Sequence, residues 1–307
     1  MGMQLPKIIA APMAGGPSTP ALVNAVTFGF LAFGTCSVSQ AREELAEVTG
    51  NFGVNFFMPQ RIAPDQRDVR ALAAELGVEV PDVDLSCGFE DKFAIALEAG
   101  PAVVSSTFGC FSEREIQRAH NAGAQAWATV TNEEEAKVAV ARGVDALVVQ
   151  GISAGGHRAT WSPNEMPDPR DTLELVRVLT SIGVPIIAAG GARTPYDVDR
   201  LIEAGATAVS CGSVFLMTDE AGTSLRNREL LQSDRSTIAS RAFSGRVARG
   251  IQSAFTDAHP DLPPLYPYLR PMTSENDYCL VGARRGTLPT GPAAAVEAWM
   301  AGTGKLR

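Results

Sequence analysis

The sequence predicts an α/β fold, a (β/α)8 TIM barrel. Three observations carry this prediction: eight short apolar runs of strand type, helical segments between them, and a repeated junction in which a helix ends at a glycine. A chain of 307 residues suits a single barrel of this kind. The competing fold is an open, doubly wound sheet. No GxGxxG sequence follows the first strand, so the barrel is favoured.

The clearest junctions are four nearly superimposable phrases, NAGAQAWATV, ARGVDALVVQ, SIGVPIIAAG and EAGATAVSCG. Their glycines are Gly123, Gly143, Gly183 and Gly205. A glycine at this place lets the helix end in the left-handed conformation before the next strand begins. The strands that follow are apolar almost throughout and do not alternate with polar residues, which is typical of parallel strands buried on both faces.

These patterns locate eight strands and four helices. The predicted strands cover residues 7–12, 29–33, 52–57, 102–106, 124–130, 144–149, 184–189 and 207–211. The clearest predicted helices cover residues 113–121, 133–142, 172–182 and 196–204. The last helix has a strong start signal, because Thr194 is a good capping residue and Pro195 suits the first helical position.

Two regions are longer than the simple repeat requires. Residues 59–100 exceed one helix, so we expect an extra helix and a loop after the third strand. From Thr218 onward the pattern indicates helical and proline-rich additions. The helices expected there cover residues 220–233, 237–242 and 293–300. We therefore predict a barrel over residues 1–217, and over residues 218–307 a C-terminal addition that packs on the barrel mouth and is not an independent domain.

Composition indicates a soluble globular protein. The net charge of −8 and the pI of about 5.0 argue against nucleic acid or an anionic membrane surface as a partner. The five cysteines are scattered without CxxC spacing, which suits a reducing compartment. The N-terminal residues do not resemble a signal peptide, and no apolar run approaches the ~20 residues of a membrane span. We expect a cytoplasmic protein. The three histidines lie far apart, so no metal site is expected.

The stretch 146–160, ALVVQGISAGGHRAT, is the strongest functional signal in the chain. An apolar run ends at Gln150, and a glycine-rich loop then presents His157. Glycine lets a backbone approach a ligand closely, and histidine exchanges its proton near neutral pH. A strand that ends in this way is typical of an active-site rim. The alternative is a surface turn that contains an incidental histidine.

The other strand ends carry glycines and neutral hydrogen-bonding residues. This disfavours a hydrolase that needs paired carboxylates or a metal, and it suits a flat polar cofactor held by backbone groups. Gly190-Gly191 and Gly212-Ser213 follow the last two strands, where barrels commonly bind a phosphate. The alternative for Gly190-Gly191 is a tight turn. Cys211 is interpreted as a packing residue and not a nucleophile, because no histidine or lysine lies near it in sequence.

Five segments together resemble a known family. They are APMAGGPSTPALVNAV, FGVNFF, VVQGISAGGHR, PIIAAGGA and CGSVFL, in this order. They are similar to the nitronate monooxygenase (2-nitropropane dioxygenase-like) family of FMN-dependent TIM-barrel enzymes. The resemblance runs from about residue 8 to residue 215, with a weaker echo in FSGRVARG at residues 243–250.

The resemblance implies an FMN cofactor, molecular oxygen as co-substrate, and oxidation of alkyl nitronates to a carbonyl compound and nitrite. His157 matches the active-site histidine of the family, which would take a proton from carbon or orient the substrate. The residues implied to contact FMN are Met13, Ala14, Asn55, Gln150, Gly155, Gly156, Gly190, Gly191, Cys211, Gly212 and Ser213. Among them, Asn55 and Gln150 would hydrogen-bond the flavin, and the last two glycine-bearing strand ends would hold its phosphate. A homodimer is compatible with this family.

Two other hypotheses remain open. The chain could be an enoyl-acyl-carrier-protein reductase-like or NAD(P)H:quinone reductase-like enzyme of the same barrel type, with Arg246 and Arg249 binding the phosphate of phosphopantetheine or of a nicotinamide cofactor. It could instead be a flavin-binding accessory protein without turnover. Trp161, just beyond His157, is a candidate for the wall of a substrate pocket, with packing as the alternative.

Overall fold

A computed structural model describes residues 4–273, 278–283 and 286–306. Eight parallel strands form a closed barrel. They are β1 (Ile8–Ala10), β2 (Gly29–Ala32), β3 (Phe52–Phe57), β4 (Val103–Thr107), β5 (Gln125–Val130), β6 (Ala146–Gln150), β8 (Ile186–Ala189) and β9 (Ala208–Cys211), in this order around the barrel. The barrel closes because β9 pairs with β1 and places Cys211 beside Ala10. The predicted (β/α)8 barrel is confirmed, and each of its strands overlaps a predicted one.

Helices lie between the barrel strands and in the two additions. They are α1 (Pro20–Ala25), α2 (Val38–Glu47), α3 (Gln66–Leu76), α4 (Phe89–Glu98), α5 (Glu113–Asn121), α6 (Glu133–Ala141), α7 (Thr172–Leu179), α8 (Pro195–Glu203), α9 (Leu225–Gln232), α10 (Ala254–Ala258), α11 (Leu269–Met272) and α12 (Ala293–Met300). Helix α3 is the extra helix expected after the third strand. Short 3₁₀ turns cover Ser213–Phe215 and Arg241–Phe243.

Side-chain caps set the starts of the outer helices. The Thr194 side chain accepts a hydrogen bond from the Asp197 N–H, and Pro195 is the first residue of α8, as predicted. Helix α5 begins after Ser112 with a reciprocal bond from Glu115, a capping box. Because these signals are local in sequence, the starts of these helices could be predicted. Helix α7 ends at Leu179, earlier than expected.

The amino-terminal end of the barrel interior, where the strands begin, is filled with side chains. Trp127, Phe28 and Phe30 are buried there, with the Phe30 and Trp127 ring centres 5.8 Å apart. They belong to an apolar cluster that also includes Ile9 and Ile187. Packing at this end leaves the opposite end, where the strands finish, as the place for a cavity.

A second, three-stranded antiparallel sheet lies beside the barrel mouth, and the sequence did not predict it. Its strands are β7 (Gly156–His157), β10 (Thr237–Ser240) and β11 (Ala248–Ile251), in the order β10-β11-β7. The prediction of a helix over residues 237–242 is therefore wrong, because the first four of these residues form β10 and a 3₁₀ turn follows. The segment contains good helix formers, namely Ala239, Arg241 and Ala242. Antiparallel pairing of β10 with β11, which places Thr237 opposite Ile251, overrides that preference.

The C-terminal residues contact the barrel at several places. Val296 and Met300 of α12 share one core cluster with Phe215, and Leu269 of α11 packs in another with Leu72 of α3. The helix expected over 220–233 is shorter than predicted, because the Ser224 side chain caps its start. That residues 218–307 do not form an independent domain stays a prediction. No helix within the described ranges is long and apolar enough to span a membrane.

Candidate active site

A cavity of about 210 Å³ lies at the carboxyl ends of the barrel strands. Among the described residues that line it there is no aspartate or glutamate. The structure brings all twelve residues singled out in the sequence to this one cavity. They are Met13, Ala14, Asn55, Gln150, Gly155, Gly156, His157, Gly190, Gly191, Cys211, Gly212 and Ser213. An anion entering this cavity therefore meets no fixed negative charge from these side chains.

One end of the cavity is built from backbone groups. Gly190 and Gly191 follow β8 with φ of +103° and +81°, and Gly212 follows β9. A Cβ at Gly190 would lie 2.8 Å from the Cβ of Ala154, so a larger residue would have to displace that neighbour. Within the described part of the chain, the N–H groups of Gly191 and Gly212 donate no hydrogen bond. Two backbone donors are thus available to an anionic ligand.

A C-terminal stretch, residues 279–283, crosses over this end and is called the crossing segment below. Its Gly282 N–H donates to Ser213 Oγ at 3.0 Å, which leaves the Ser213 proton free to donate elsewhere. The Ala283 N–H donates to the Ser153 carbonyl at 3.1 Å. The crossing segment therefore covers the Ser213 end of the cavity.

Polar side chains from β3, β4 and β5 form the floor. Asn55 is buried, and its Nδ2 donates to Ser105 Oγ at 2.8 Å and to Thr107 Oγ1 at 3.1 Å. Thr107 Oγ1 lies 3.4 Å from Thr129 Oγ1. Since the Asn55 amide protons are used within the protein, its oxygen is the atom suited to accept a bond from a ligand.

Gln150 holds the loop that carries the histidine. Its Nε2 donates to the His157 carbonyl at 3.0 Å, and its Oε1 accepts from the Ala159 N–H at 3.0 Å. The buried Arg158 donates to the Gln150 and Gly151 carbonyls and closes the same loop. The amide of Gln150 therefore positions His157, and one Nε2 proton remains for a ligand.

His157 lies on β7, with one face toward the cavity. Its Nε2 is 2.7 Å from Ser244 Oγ. The rings of Phe57, Phe108 and Tyr266 surround it edge-on, with ring centres 5.7, 5.5 and 6.0 Å away. The imidazole is thus fixed by one hydrogen bond and an aromatic cage, and its Nδ1 has no hydrogen-bond partner among the described residues.

The surroundings keep this imidazole neutral. Burial, together with the positive charges of Arg246 and Arg270, lowers the pKa of His157 to about 3. At pH 7 one ring nitrogen therefore carries a proton and the other a lone pair. In this state the side chain can accept a proton or donate a hydrogen bond.

The two arginines considered as phosphate ligands face the protein. Arg246 is buried, donates to Gln60 Oε1 at 2.7 Å and to the Thr160 carbonyl at 2.9 Å, and lies 4.1 Å from the Phe108 ring centre. Arg249 is bonded to the Ile152 carbonyl at 3.4 Å. Neither lines the cavity, so the structure gives no support to a role for them in phosphate binding there.

Two further interpretations are settled by position. Trp161 does not line the cavity: its Nε1 donates to the Thr129 carbonyl at 3.1 Å, and its N–H donates to the buried Glu135 carboxylate at 2.8 Å. It is a packing residue. Cys211 borders the cavity but is buried, and burial raises the pKa of its thiol to about 12, which keeps it protonated. A role as nucleophile is therefore disfavoured, as the sequence suggested.

Ser244, Phe57 and Tyr278 are among the site residues that sequence reasoning did not identify. Ser244 lies in the FSGRVARG segment, so its resemblance to the family was a signal that could have identified it. Phe57 ends β3 and lines the cavity. Tyr278 precedes the crossing segment and also lines the cavity, and nothing in its local sequence indicated this.

The fold and the site define a class of protein: a TIM-barrel enzyme with a backbone cradle for an anionic group at one end of a cavity and a neutral histidine on its wall. The described ranges contain no cluster of three or more histidine, cysteine, aspartate or glutamate residues that could hold a metal ion.

Comparison with known proteins gives the family. A family profile described as Nitronate monooxygenase matches residues 3–279. A nitronate monooxygenase of Pseudomonas aeruginosa is 35% identical over 297 residues, covering 88% of this chain and 84% of that protein. A probable nitronate monooxygenase of Staphylococcus aureus is 31% identical, covering 81% and 76%. The chain belongs to the nitronate monooxygenase family.

Solved structures agree on the architecture. A nitroalkane oxidase from Streptomyces ansochromogenes has a TM-score of 0.86 at 29% identity, covering 97% of this chain and 95% of that one. FabK from Thermotoga maritima has a TM-score of 0.74 at 20% identity, covering 97% and 92%. The second likeness shows the fold alone. The family and the first neighbour make this chain a flavin-dependent oxidoreductase.

Proposed function

We propose that the chain is an FMN-dependent nitronate monooxygenase that oxidises alkyl nitronates with O2 to a carbonyl compound and nitrite. The observation that carries the proposal is the neutral His157, held by Ser244 on the wall of a cavity whose far end is a backbone cradle for an anion. Family membership supports the same reaction. The site residues below are proposed on the same basis.

The cavity residues fit FMN. Gly191 and Gly212 offer unused N–H groups and Ser213 a free hydroxyl proton, the donor set that a phosphate needs. Asn55 offers an acceptor and Gln150 a donor on the floor, which suits the polar edge of a flavin. When bound, FMN would supply the transfer of electrons from the nitronate to oxygen.

The protein residues would bind the substrate and handle its proton. In either tautomer, His157 has Nδ1 left for the substrate, either as a lone pair that accepts a proton from a nitroalkane carbon or as an N–H that donates to a nitronate oxygen. The aromatic cage of Phe57, Phe108 and Tyr266 around His157 limits access of water to the reacting atoms. The lack of carboxylates among the described lining residues suits an anionic substrate.

The test is a flavin reduction experiment with the purified protein reconstituted with FMN. Ethyl nitronate should bleach the oxidised flavin spectrum anaerobically, and admitting air should restore it with consumption of O2 and release of nitrite. Bleaching by NADH or NADPH and not by the nitronate would instead support the reductase alternative. A protein that stays colourless in excess FMN would contradict the cofactor assignment.

The same proposal includes a cytoplasmic location and a homodimer. None of the five cysteines, all of which lie within the described ranges, forms a disulfide, which is compatible with a reducing compartment. Sedimentation velocity of the FMN-loaded protein tests the oligomeric state, and a single species at the monomer mass of 32.3 kDa would contradict the dimer.

A further inference from the structure

Tyr278 lines the cavity with a hydroxyl that no other described residue uses as a hydrogen-bond donor or acceptor. The ring itself is well fixed. The guanidinium carbon of Arg270 lies 3.9 Å from its centre, and the Phe243 ring centre lies 6.5 Å away at an interplanar angle of 75°. Tyr278 is half-buried, and a phenol that borders a cavity normally finds a polar partner. This hydroxyl therefore marks a place where a ligand atom is expected.

The contacts of Tyr278 also lead to His157. Phe243 directly precedes Ser244, and Ser244 holds the imidazole at 2.7 Å. Arg270, which stacks on the Tyr278 ring, is close enough to His157 for its charge to contribute to the lowered pKa of the imidazole. Tyr278 and His157 therefore line the same cavity, and Arg270 acts on both side chains.

We propose that Tyr278 is a substrate-binding residue whose hydroxyl donates a hydrogen bond to a nitronate oxygen while His157 faces the neighbouring carbon. This inference rests on the proposed function. A nitronate carries its negative charge on two oxygens, so an O–H donor is the matching group, and a bond to a charged acceptor is stronger than a neutral one. The Arg270 guanidinium on the ring face makes the hydroxyl a better donor without placing a cation in the cavity.

The protonation state agrees with a donor. Burial raises the pKa of Tyr278 to about 12, so the hydroxyl keeps its proton over the range in which nitronates are stable anions. The positive charge of Arg270 acts to lower the pKa of Tyr278, which makes its hydroxyl a stronger hydrogen-bond donor.

The experiment compares Tyr278→Phe with Tyr196→Phe in the FMN-loaded protein. Tyr196 is 69% exposed and does not line the cavity, so it is a matched control. Tyr278→Phe should raise KM for ethyl nitronate about tenfold or more, the usual cost of a lost bond to a charged group, with a smaller change in kcat. It should weaken binding of nitrite, an inert anion, measured from perturbation of the flavin spectrum. The FMN Kd and the Tm should match those of the control.

The outcomes separate the two proposals. If the wild type oxidises ethyl nitronate and Tyr278→Phe leaves KM and nitrite binding unchanged, the hydroxyl does not bind substrate. If Tyr278→Phe weakens FMN binding instead, the hydroxyl faces the cofactor and the inference fails. If the wild type does not oxidise the nitronate, the proposed function fails and this inference with it. Arg270→Gln provides a second variant, expected to raise KM less than Tyr278→Phe because the hydroxyl remains.

Discussion

At the scale of single residues, the site depends on hydrogen bonds between neutral groups. His157 is held by Ser244 through one bond of 2.7 Å and by Gln150 through its carbonyl. The positive charges that lower the pKa of the imidazole, those of Arg246 and Arg270, act from outside the cavity. An imidazole kept neutral in this way holds its protonation state across the physiological range.

Ser244→Ala should lower kcat/KM for the proposed reaction about tenfold, because the imidazole loses the bond that orients it. Ser244→Thr keeps a hydroxyl and should recover most of the loss. FMN binding, followed by flavin fluorescence, should be the same in all three proteins. Full activity of Ser244→Ala would mean that the aromatic cage alone positions the ring.

The pH dependence of stability should reveal the neutral imidazole. In the unfolded chain His157 titrates near its ordinary pKa of 6.5, and in the folded protein near 3. Between these values the unfolded state binds more protons, so stability falls as the pH drops from 6.5 toward 3, by up to about 1.4 kcal/mol per pH unit. Above pH 6.5 this residue has no effect.

Urea unfolding of the wild type and of His157→Gln at pH 7 and pH 5 checks this expectation. The wild type should lose more stability than the variant on acidification. Equal losses would show that His157 titrates normally in the folded protein.

At the scale of elements, glycine-bearing turns after β8 and β9 shape the cavity. These turns could be predicted because Gly190-Gly191 and Gly212-Ser213 directly follow readable strands. The sheet that carries His157 could not be predicted, because β7 has only two residues and pairs with β11, about 90 residues later in the chain. Tyr278 reaches the cavity through the same kind of long-range contact, since Leu280 bridges to Gly250.

Gly190→Ala should raise the FMN Kd about tenfold or more, because the added methyl group meets Ala154 at 2.8 Å in a turn with φ of +103°. Gly143→Ala is the control: its φ is +90°, but no atom lies within 4 Å of the added carbon. The control should lose about 1 kcal/mol of stability and keep its FMN affinity. Titration of each apoprotein with FMN measures the FMN Kd, and urea unfolding measures the stability. Equal FMN affinity in the two variants would exclude a close fit at Gly190.

At the scale of the whole molecule, the barrel and the C-terminal residues share apolar clusters. Met300 packs with Phe215, and the crossing segment is tied to Ser213 and Ser153. These contacts join residues from both sides of the predicted boundary at 217. The barrel could be predicted from the sequence because its repeats are local in the chain. The packing of the C-terminal residues could not be predicted, because it depends on side chains that meet only after folding.

We expect the FMN-loaded protein to unfold in one transition, with residues 218–307 losing structure together with the barrel. Tryptophan fluorescence, from Trp127 and Trp161 in the barrel and Trp299 in α12, should change at the same urea concentration as flavin release. Added FMN should raise the Tm, since it binds only the folded state. Two separated transitions would instead indicate an independent C-terminal domain.

The crossing segment also bears on how fast a bound group can leave. Hydrogen bonds hold the crossing segment in place: the N–H groups of Val281, Gly282 and Ala283 donate, and the Cys279 carbonyl accepts from the Ile251 N–H. We expect a ligand anchored at the Ser213 end to be retained by this stretch as well as by its own contacts, with a residence time that depends on how often the stretch detaches.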